Sequence, residues 1–398
     1  MVDPIRPFAV SRLPRIIFGA GSIAKLPGLV SGLGRSALIV TGARSFRRSE
    51  AWTVLTNELT GKETRLHDLQ VDGEPSPALV DDAVGHFKDA GIDVVIGIGG
   101  GSAMDAAKAI AGLLRTGNSV MDHLEGVGPE LPYEGPSVPF VAVPTTAGSG
   151  SEATKNAVLS ERGEGGFKKS FRDEQLVAHS AVVDPDLLAS CPPAVIAANG
   201  MDAITQLLEA YVSTRANPFS DALALSGLEK ARDALPAWYA GGDDAEAARA
   251  DMAYAALLSG IVLAQVGLGS VHGLASPMGA FFPIPHGLVC GTLLSAATRV
   301  NIRALEERAP GSAALGKYAD AGRLLTGRHD LDDDIARRAL AELFDARTEA
   351  LDLPRLGACG VAETDIARIV AASRGSSMKT NPVELTDEEI GAIVAERL

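Results

Sequence analysis

The chain has 398 residues, 46% hydrophobic and 22% charged, so it carries enough apolar side chains to bury sizeable cores and is not expected to be disordered. Fifty acidic against 36 basic residues give a net charge of −14, which repels phosphate backbones and argues against nucleic-acid binding. The three cysteines lie far apart in sequence, and none forms a CxxC pair. This pattern argues against a disulfide framework and against cysteine-bound zinc, and it favours a reducing, cytoplasmic setting.

The sequence predicts no membrane-spanning segment. The N-terminal region lacks the apolar run of a signal peptide. Residues 252–297 contain no Asp, Glu, Lys or Arg, but glycine, proline and histidine residues interrupt them. We expect this stretch to form buried helices of a core.

The first half of the chain alternates short β-rich runs with helical patterns such as 77–90 and 102–114. The β-rich runs are residues 36–42, 93–101, 138–146 and 180–185. Strands that alternate with helices and lack a polar/apolar period are typical of a parallel sheet covered on both faces. Long Ala/Leu-rich segments follow after about residue 186. The sequence therefore predicts a Rossmann-like α/β dinucleotide-binding domain over 1–187 and an all-helical metal and substrate domain over 188–398.

A glycine turn, Gly99-Gly100-Gly101-Ser102, follows one predicted strand and precedes a helix. Glycines allow a phosphate to approach the backbone, and a helix N-terminus offers it free N–H groups. Ser102 and Asp105 have the spacing of a capping box. The turn therefore predicts a pyrophosphate site, and the alternative is an ordinary tight turn between a strand and a helix.

A second loop, residues 144–154, follows another predicted strand and is rich in Ser, Thr and Gly. Hydroxyl groups at the carboxyl end of a strand can bind sugar hydroxyls and phosphate oxygens. The alternative is a polar surface loop.

The predicted helix 199–214 carries Asp202, Gln206 and Glu209 on one face, and the charge-free stretch contains His272 and His286. A carboxylate with two imidazoles is a ligand set for a divalent metal. The alternatives are that Asp202 caps its helix and that His272 is a core residue.

Four motifs, residues 99–109, 144–154, 199–211 and 271–287, together resemble the iron-containing (group III) alcohol dehydrogenase family. The resemblance implies the dehydroquinate synthase-like fold, in which a dinucleotide-binding domain and a helical domain flank a cleft. It also implies NAD(P)-dependent hydride transfer between a small alcohol and its aldehyde or ketone, and a homodimer.

Residue by residue, the resemblance implies one set of cofactor contacts and one set of metal ligands. The cofactor contacts are Gly99, Gly100, Gly101, Ser102, Asp105, Thr145, Thr146, Ser149, Thr154 and Lys168. The metal ligands are Asp202, Gln206, His272 and His286, and the residues next to the reacting groups are His272, His286 and Ser276. The chain departs from the family at two of these positions, because Gln206 and Ser276 stand where histidines are expected.

An amide oxygen is a weaker ligand than imidazole, so Gln206 weakens the expected Fe²⁺ or Zn²⁺ site. Asp202, His272 and His286 still form a three-ligand set, with Gln206 as a fourth ligand or as a partner of the ligands. One alternative is a metal-free reductase, like maleylacetate reductases, in which a histidine supplies the proton. Two others are a lyase or phosphate-sugar enzyme on the same fold, and a binding protein without chemistry.

The nucleotide preference depends on the end of the strand 37–41. A carboxylate at such a position selects NAD through the ribose 2′-hydroxyl, but this strand ends at Gly42. Ser45 follows, with three arginines that can hold a 2′-phosphate, namely Arg44, Arg47 and Arg48. This favours NADP(H), and the alternative is that the arginines are solvated and NAD is accepted.

Overall fold

The computed structural model describes residues 5–43, 45–163 and 165–398. They form two compact units, which we call the α/β unit (Ser11–Cys191) and the helical unit (residues 5–10 with Pro192–Leu398). The predicted fold class, an α/β domain followed by a helical one, is confirmed.

The α/β unit contains a parallel sheet and a separate antiparallel hairpin. The strands are β1 (Arg15–Phe18), β2 (Ser36–Gly42), β3 (Arg65–Val71), β4 (Val94–Gly99), β5 (Phe140–Pro144), β6 (Asn156–Glu161), β7 (Phe167–Arg172) and β8 (Ser180–Val183). In the described residues, six of them form the sheet in the order β1-β8-β5-β4-β2-β3, and β6 pairs with β7. The helices are α1 (Leu26–Ser31), α2 (Glu50–Gly61), α3 (Pro77–Phe87) and α4 (Gly101–Leu113).

Both faces of the sheet are buried, which explains why its central strands are continuous apolar runs. Leu38 and Val40 belong to a core cluster that includes residues of α3 and α4. Ala37 and Ile39, the alternate residues of β2, belong to a second cluster that includes residues of α1 and α2. Successive side chains of one strand therefore support two separate helix layers.

The strand order places a topological switch point between β2 and β4. The chain runs from β2 to the edge strand β3 and then returns to β4 on the other side of β2. Thr41 pairs with Ile98, so the two strands end side by side at Gly42 and Gly99. In open α/β sheets, ligands bind outside the carboxyl ends of the strands at such a point.

The predicted strand at 37–41 is β2, the second strand in chain order, because β1 precedes it. The strands absent from our sequence interpretation are β1, β3 and the β6–β7 hairpin. Each carries charged or polar side chains, so it lacks the continuous apolar pattern of the central strands.

The described residues of the helical unit contain helices and no assigned strand. The helices are α5 (Pro193–Val212), α6 (Pro218–Ala240), α7 (Ala245–Val266), α8 (Ser270–Phe281), α9 (His286–Arg308), α10 (Ala313–Thr326), α11 (Asp333–Ala350), α12 (Ile366–Ala372) and α13 (Asp387–Ala395). By length and composition α7 could cross a membrane, but 61% of its most apolar window is buried inside the protein, as in a core helix.

A fully buried lysine joins α4 to the loop before β6. Lys108 Nζ donates hydrogen bonds to the Ser151 carbonyl (2.8 Å), to Thr154 Oγ1 (2.8 Å) and to the Asn156 carbonyl (2.7 Å). Its side chain is 0% exposed, and burial lowers the pKa of Lys108 to about 8. A cation taken out of water is tolerated only when such partners surround it.

We expect Lys108→Ala to lower the free energy of unfolding by about 3–5 kcal/mol, because its acceptors would stay buried without a donor. Urea denaturation measures the loss. The matched control is Lys88→Ala at an exposed lysine, which should change stability by less than about 0.5 kcal/mol. Equal losses in the two variants would contradict a structural role for the Lys108 hydrogen bonds.

Candidate active site

Four metal-binding side chains meet inside the helical unit. Donor atoms of Asp202, His272, His286 and Cys290 all lie within 4.8 Å of one another. Asp202, His272 and Cys290 are buried and His286 is half-buried. The structure therefore brings together three residues that the sequence analysis selected as metal ligands, and adds a cysteine that it did not select.

Three helices position these side chains. Asp202 lies in the middle of α5, and His272 lies in the first turn of α8. His286 is the first residue of α9, and Cys290 follows one turn later. Residues four apart lie on one face of a helix, so α9 presents both donors to the same point.

A buried carboxylate orients His272. Glu209, two turns after Asp202 on α5, has Oε2 at 2.6 Å from His272 Nδ1, and its Oε1 accepts the Val271 N–H at 2.7 Å. A proton on Nδ1 is donated to Glu209, so Nε2 faces Asp202 Oδ1 at 3.2 Å. Carboxylates that fix the tautomer in this way are typical partners of metal-binding histidines.

The electrostatics of the cluster favour an ionised carboxylate. Burial raises the pKa of Asp202, but the hydrogen bond with His272 and the charges of His286 and His272 outweigh burial and hold this pKa at about 2. Burial also raises the pKa of the Cys290 thiol, to about 12.

The donor set fits a divalent metal. Two N or O ligands about 2.0–2.1 Å from one ion stand ~3.4 Å apart in a tetrahedral site. The 3.2 Å between Asp202 Oδ1 and His272 Nε2 is close to this separation. One carboxylate with two imidazoles suits Zn²⁺ or Fe²⁺.

Gln206 and Ser276, the other two residues predicted for this site, do not belong to the cluster of four donors. Gln206 lies one turn after Asp202, but its Oε1 accepts a hydrogen bond from Ser259 Oγ at 2.6 Å. The amide atom that would bind a metal is thus used inside the protein. Ser276 lies one turn after His272 on α8 and is half-buried.

The glycine turn lies at the switch point of the sheet. A Cβ at Gly99 would come within 2.7 Å of Ala103 Cβ and 3.3 Å of the Gly42 nitrogen, so only glycine allows β2, β4 and α4 to meet this closely. Gly100 is the N-cap of α4, without a side-chain cap. The arrangement leaves the helix N-terminus at the place where α/β sheets bind phosphates.

The capping box predicted from Ser102 and Asp105 is wrong. Asp105 instead accepts a hydrogen bond from Ser151 Oγ at 2.6 Å and lies 4.0 Å from Lys108 Nζ. Burial raises the pKa of Asp105. A partner 46 residues away in the chain therefore determines the position of this carboxylate.

The Ser/Thr-rich loop packs against the glycine turn. The Thr145 N–H donates to the Gly99 carbonyl at 2.9 Å. Thr146 Oγ1 lies 3.3 Å from the position of a Cβ on Gly100, and Ser149 Oγ lies 3.1 Å from that of a Cβ on Gly101. The structure thus places the two predicted cofactor-binding segments side by side.

Other predicted cofactor residues already have protein partners. Thr154 is buried and accepts from Lys108, which gives it a structural contact. Lys168 Nζ lies 2.6 Å from Glu74 Oε1 in an ion pair. Ser45 is exposed and precedes the turn 46–48.

Cys290 of the metal-binding cluster, and Glu209, which contacts the cluster through His272, were absent from our predicted site. Glu209 had been placed on the correct helix face without a role. Cys290 had been set aside because the chain has no CxxC pair, although the spacing His286-x₃-Cys290 was a usable signal for two donors on one helix face.

The chain is similar to known proteins in sequence and in structure. The family model "Iron-containing alcohol dehydrogenase" matches residues 14–185, and that for the C-terminal part of the Fe-containing alcohol dehydrogenase family matches residues 196–398. Alcohol dehydrogenase 4 of Saccharomyces cerevisiae (strain YJM789) is 33% identical over 96% of both chains. Lactaldehyde reductase of Escherichia coli (strain K12) is 32% identical over 94% of this chain and 95% of its own.

Among solved structures, that of a 1,3-propanediol oxidoreductase superimposes with a TM-score of 0.87 at 28% identity. It covers 99% of this chain and 100% of its own.

We expect Gly100→Val to weaken NADPH binding at least about tenfold, because the new side chain would push Thr146 away from the turn. Backbone strain is not the reason, since Gly100 is extended at φ −79 and ψ −173. Binding is measured by fluorescence titration and folding by thermal unfolding. The matched control is Gly85→Val on α3, where a Cβ meets nothing within 4 Å. Undiminished binding in Gly100→Val would contradict the phosphate site.

Proposed function

The chain belongs to the iron-containing alcohol dehydrogenase family, and on this premise we propose that it interconverts a small alcohol and its aldehyde or ketone by metal-assisted hydride transfer with NADP(H). As a member of the family it is an oxidoreductase, and the family implies a nicotinamide dinucleotide and a divalent metal. The observation that carries the proposal is the buried cluster of Asp202, His272 and His286, with Glu209 orienting His272.

Each side chain has a definable task. Asp202, His272 and His286 would hold the metal, which when bound acts as a Lewis acid and lowers the pKa of an alcohol hydroxyl. Glu209 holds a proton of His272 on Nδ1, so Nε2 is the nitrogen that would release its proton and bind the metal. The apolar surroundings of α8 exclude water from the reacting groups.

In a metal-free reductase, His286 would be the residue best suited to move a proton. Both ring nitrogens of His272 lie next to carboxylates, those of Glu209 and Asp202, which holds this ring in one state. His286 is half-buried and so is the more accessible imidazole. If the enzyme were a metal-free reductase, His286 would be the proton donor to the carbonyl oxygen.

We expect His286→Ala to lower kcat by a factor on the order of 10³, while NADPH affinity stays within about twofold of the wild type. The measurements are steady-state reduction of short aldehydes, NADPH titration and metal content before and after chelation. His329→Ala, at an exposed histidine of the helical unit, is the control. Full activity in chelated, metal-free protein would favour the metal-free reductase, and loss of both cofactor binding and turnover in His286→Ala would indicate a structural role.

The proposed preference for NADP(H) rests on the residues after β2. The strand ends at Gly42 without a carboxylate, and Ser45 and Arg48 are exposed. Arg47 has other partners, because its Nε donates to Thr41 Oγ1 and its Nη2 donates to Asp68 Oδ2, both at 2.7 Å.

Arg44, the third arginine of the prediction, lies outside the described residues. Arg48 is therefore our candidate for the 2′-phosphate.

We expect Arg48→Ala to lower the ratio of kcat/KM for NADPH over NADH about tenfold, equal to ~1.4 kcal/mol. Arg47→Ala is the control, and it should lower thermal stability while leaving the ratio within about twofold. A wild-type enzyme that favours NADH tenfold would refute the preference for NADP(H).

The proposal also covers the oligomeric state and the cellular location. The β1 strand lies at the edge of the sheet, and its Ile16 and Phe18 are each 39% exposed. An apolar edge strand of this kind suits pairing with a second copy. We propose a cytoplasmic homodimer, as the family resemblance implies.

A further inference from the structure

Cys290 is the fourth donor of the cluster, and its contacts are polar. Its Sγ lies 3.6 Å from His272 Nε2 and 3.7 Å from His286 Nε2. The side chain is 0% exposed. A buried cysteine that only fills space packs against apolar atoms, whereas this sulfur faces two imidazoles and belongs to one cluster with Asp202.

These distances are those of a shared coordination sphere. A thiolate binds zinc at ≈2.3 Å and an imidazole at ≈2.0–2.1 Å, so sulfur and nitrogen in a tetrahedral site stand ~3.6 Å apart. The two observed S–N separations are 3.6 and 3.7 Å. The same geometry predicts ~3.4 Å between O and N ligands, against the observed 3.2 Å from Asp202 to His272.

We infer that Cys290 binds the metal through its sulfur and completes a four-ligand set with Asp202, His272 and His286 that selects zinc over iron. The substrate oxygen would then add as a fifth ligand. This inference rests on the metal-assisted form of the proposed function. On binding, an Sγ–metal bond replaces the Sγ–H bond, and the proton leaves to solvent. A divalent ion with two anionic and two neutral ligands has no net charge, which suits a buried site.

The polar residue one turn after Asp202 has a hydrogen-bond partner within the protein. Gln206 Oε1 accepts from Ser259 Oγ at 2.6 Å. The helix α9 positions Cys290 one turn after His286. Its sulfur is a soft ligand. Thiolate ligands favour Zn²⁺, whereas carboxylate and amide oxygens favour harder ions.

The direct test replaces the metal with Co²⁺ in a full-length chain that carries Cys191→Ser and Cys359→Ser, so that Cys290 is the single cysteine. We expect a thiolate-to-cobalt charge-transfer band in the near ultraviolet, together with the visible bands of tetrahedral Co²⁺. Adding Cys290→Ser should abolish the charge-transfer band and retain visible cobalt bands.

A second measurement does not depend on the folding of a variant. X-ray absorption at the zinc edge of the wild-type zinc form should reveal one sulfur among the nitrogen and oxygen ligands. Competition with a chromophoric chelator should then give a zinc affinity at least about tenfold weaker in Cys290→Ser than in its background, since loss of even an outer partner costs that much. The Fe²⁺ affinity should change less.

Three results would overturn the inference. Tetrahedral cobalt bands without charge transfer, or a zinc edge without sulfur, would remove Cys290 from the ligand set and leave the metal-assisted function in place. No binding of Co²⁺ or Zn²⁺ by folded wild-type protein would refute the Cys290 site and the metal-assisted function together. Aldehyde reduction by that metal-free protein would then identify the metal-free reductase.

Discussion

The ionised carboxylate of Asp202 is the constraint around which the helical unit is built. It is 3% exposed in the middle of α5, and an unpaired charge there would cost several kcal/mol. The neighbouring helices compensate for it, since α8 brings His272 and α9 brings His286 to the same point. Glu209, itself buried, then fixes the imidazole of His272 from the other side. The ligand geometry is therefore part of the core packing.

The α/β unit contains the complementary case, a buried cation. Lys108 holds the loop before β6 against α4, and Ser151 of the same loop binds Asp105. The hydrogen bonds of these charged groups fix the loop at Ser151. Thr146, earlier in the same loop, faces the glycine turn. In both units a charge removed from water positions a candidate ligand-binding surface, which would tie stability to function.

The sequence predicted best what depends on local pattern. Strands such as β2 and β4 are buried on both faces and give continuous apolar runs, whereas the edge strand β3 carries polar residues and gave no clear signal. The capping box at Asp105 failed because the helix begins before Ser102, with Gly100 as its N-cap, and the Asp105 carboxylate binds a hydroxyl 46 residues away. The spacing of Asp202 and His272 carries no fixed signature, so their residue types suggested a shared metal site and the family resemblance strengthened that prediction. Cys290 was missed because cysteines were judged in pairs rather than beside a histidine.

The surroundings of Gln206 and Cys290 bear on the same question, which is where the fourth donor of the site lies. The family resemblance implies a nitrogen donor at 206, one turn after the carboxylate ligand on α5. Here that position carries an amide that accepts a hydrogen bond from Ser259, and the sulfur of Cys290 lies one turn after His286 on α9. Positions 206 and 290 each lie one helical turn after a metal ligand. The fourth donor can therefore come from α5 or from α9 without moving the metal site. A donor from α9 in place of one from α5 keeps the number of donors and changes their chemistry from imidazole to thiolate, which lowers the charge of the site by one and favours zinc.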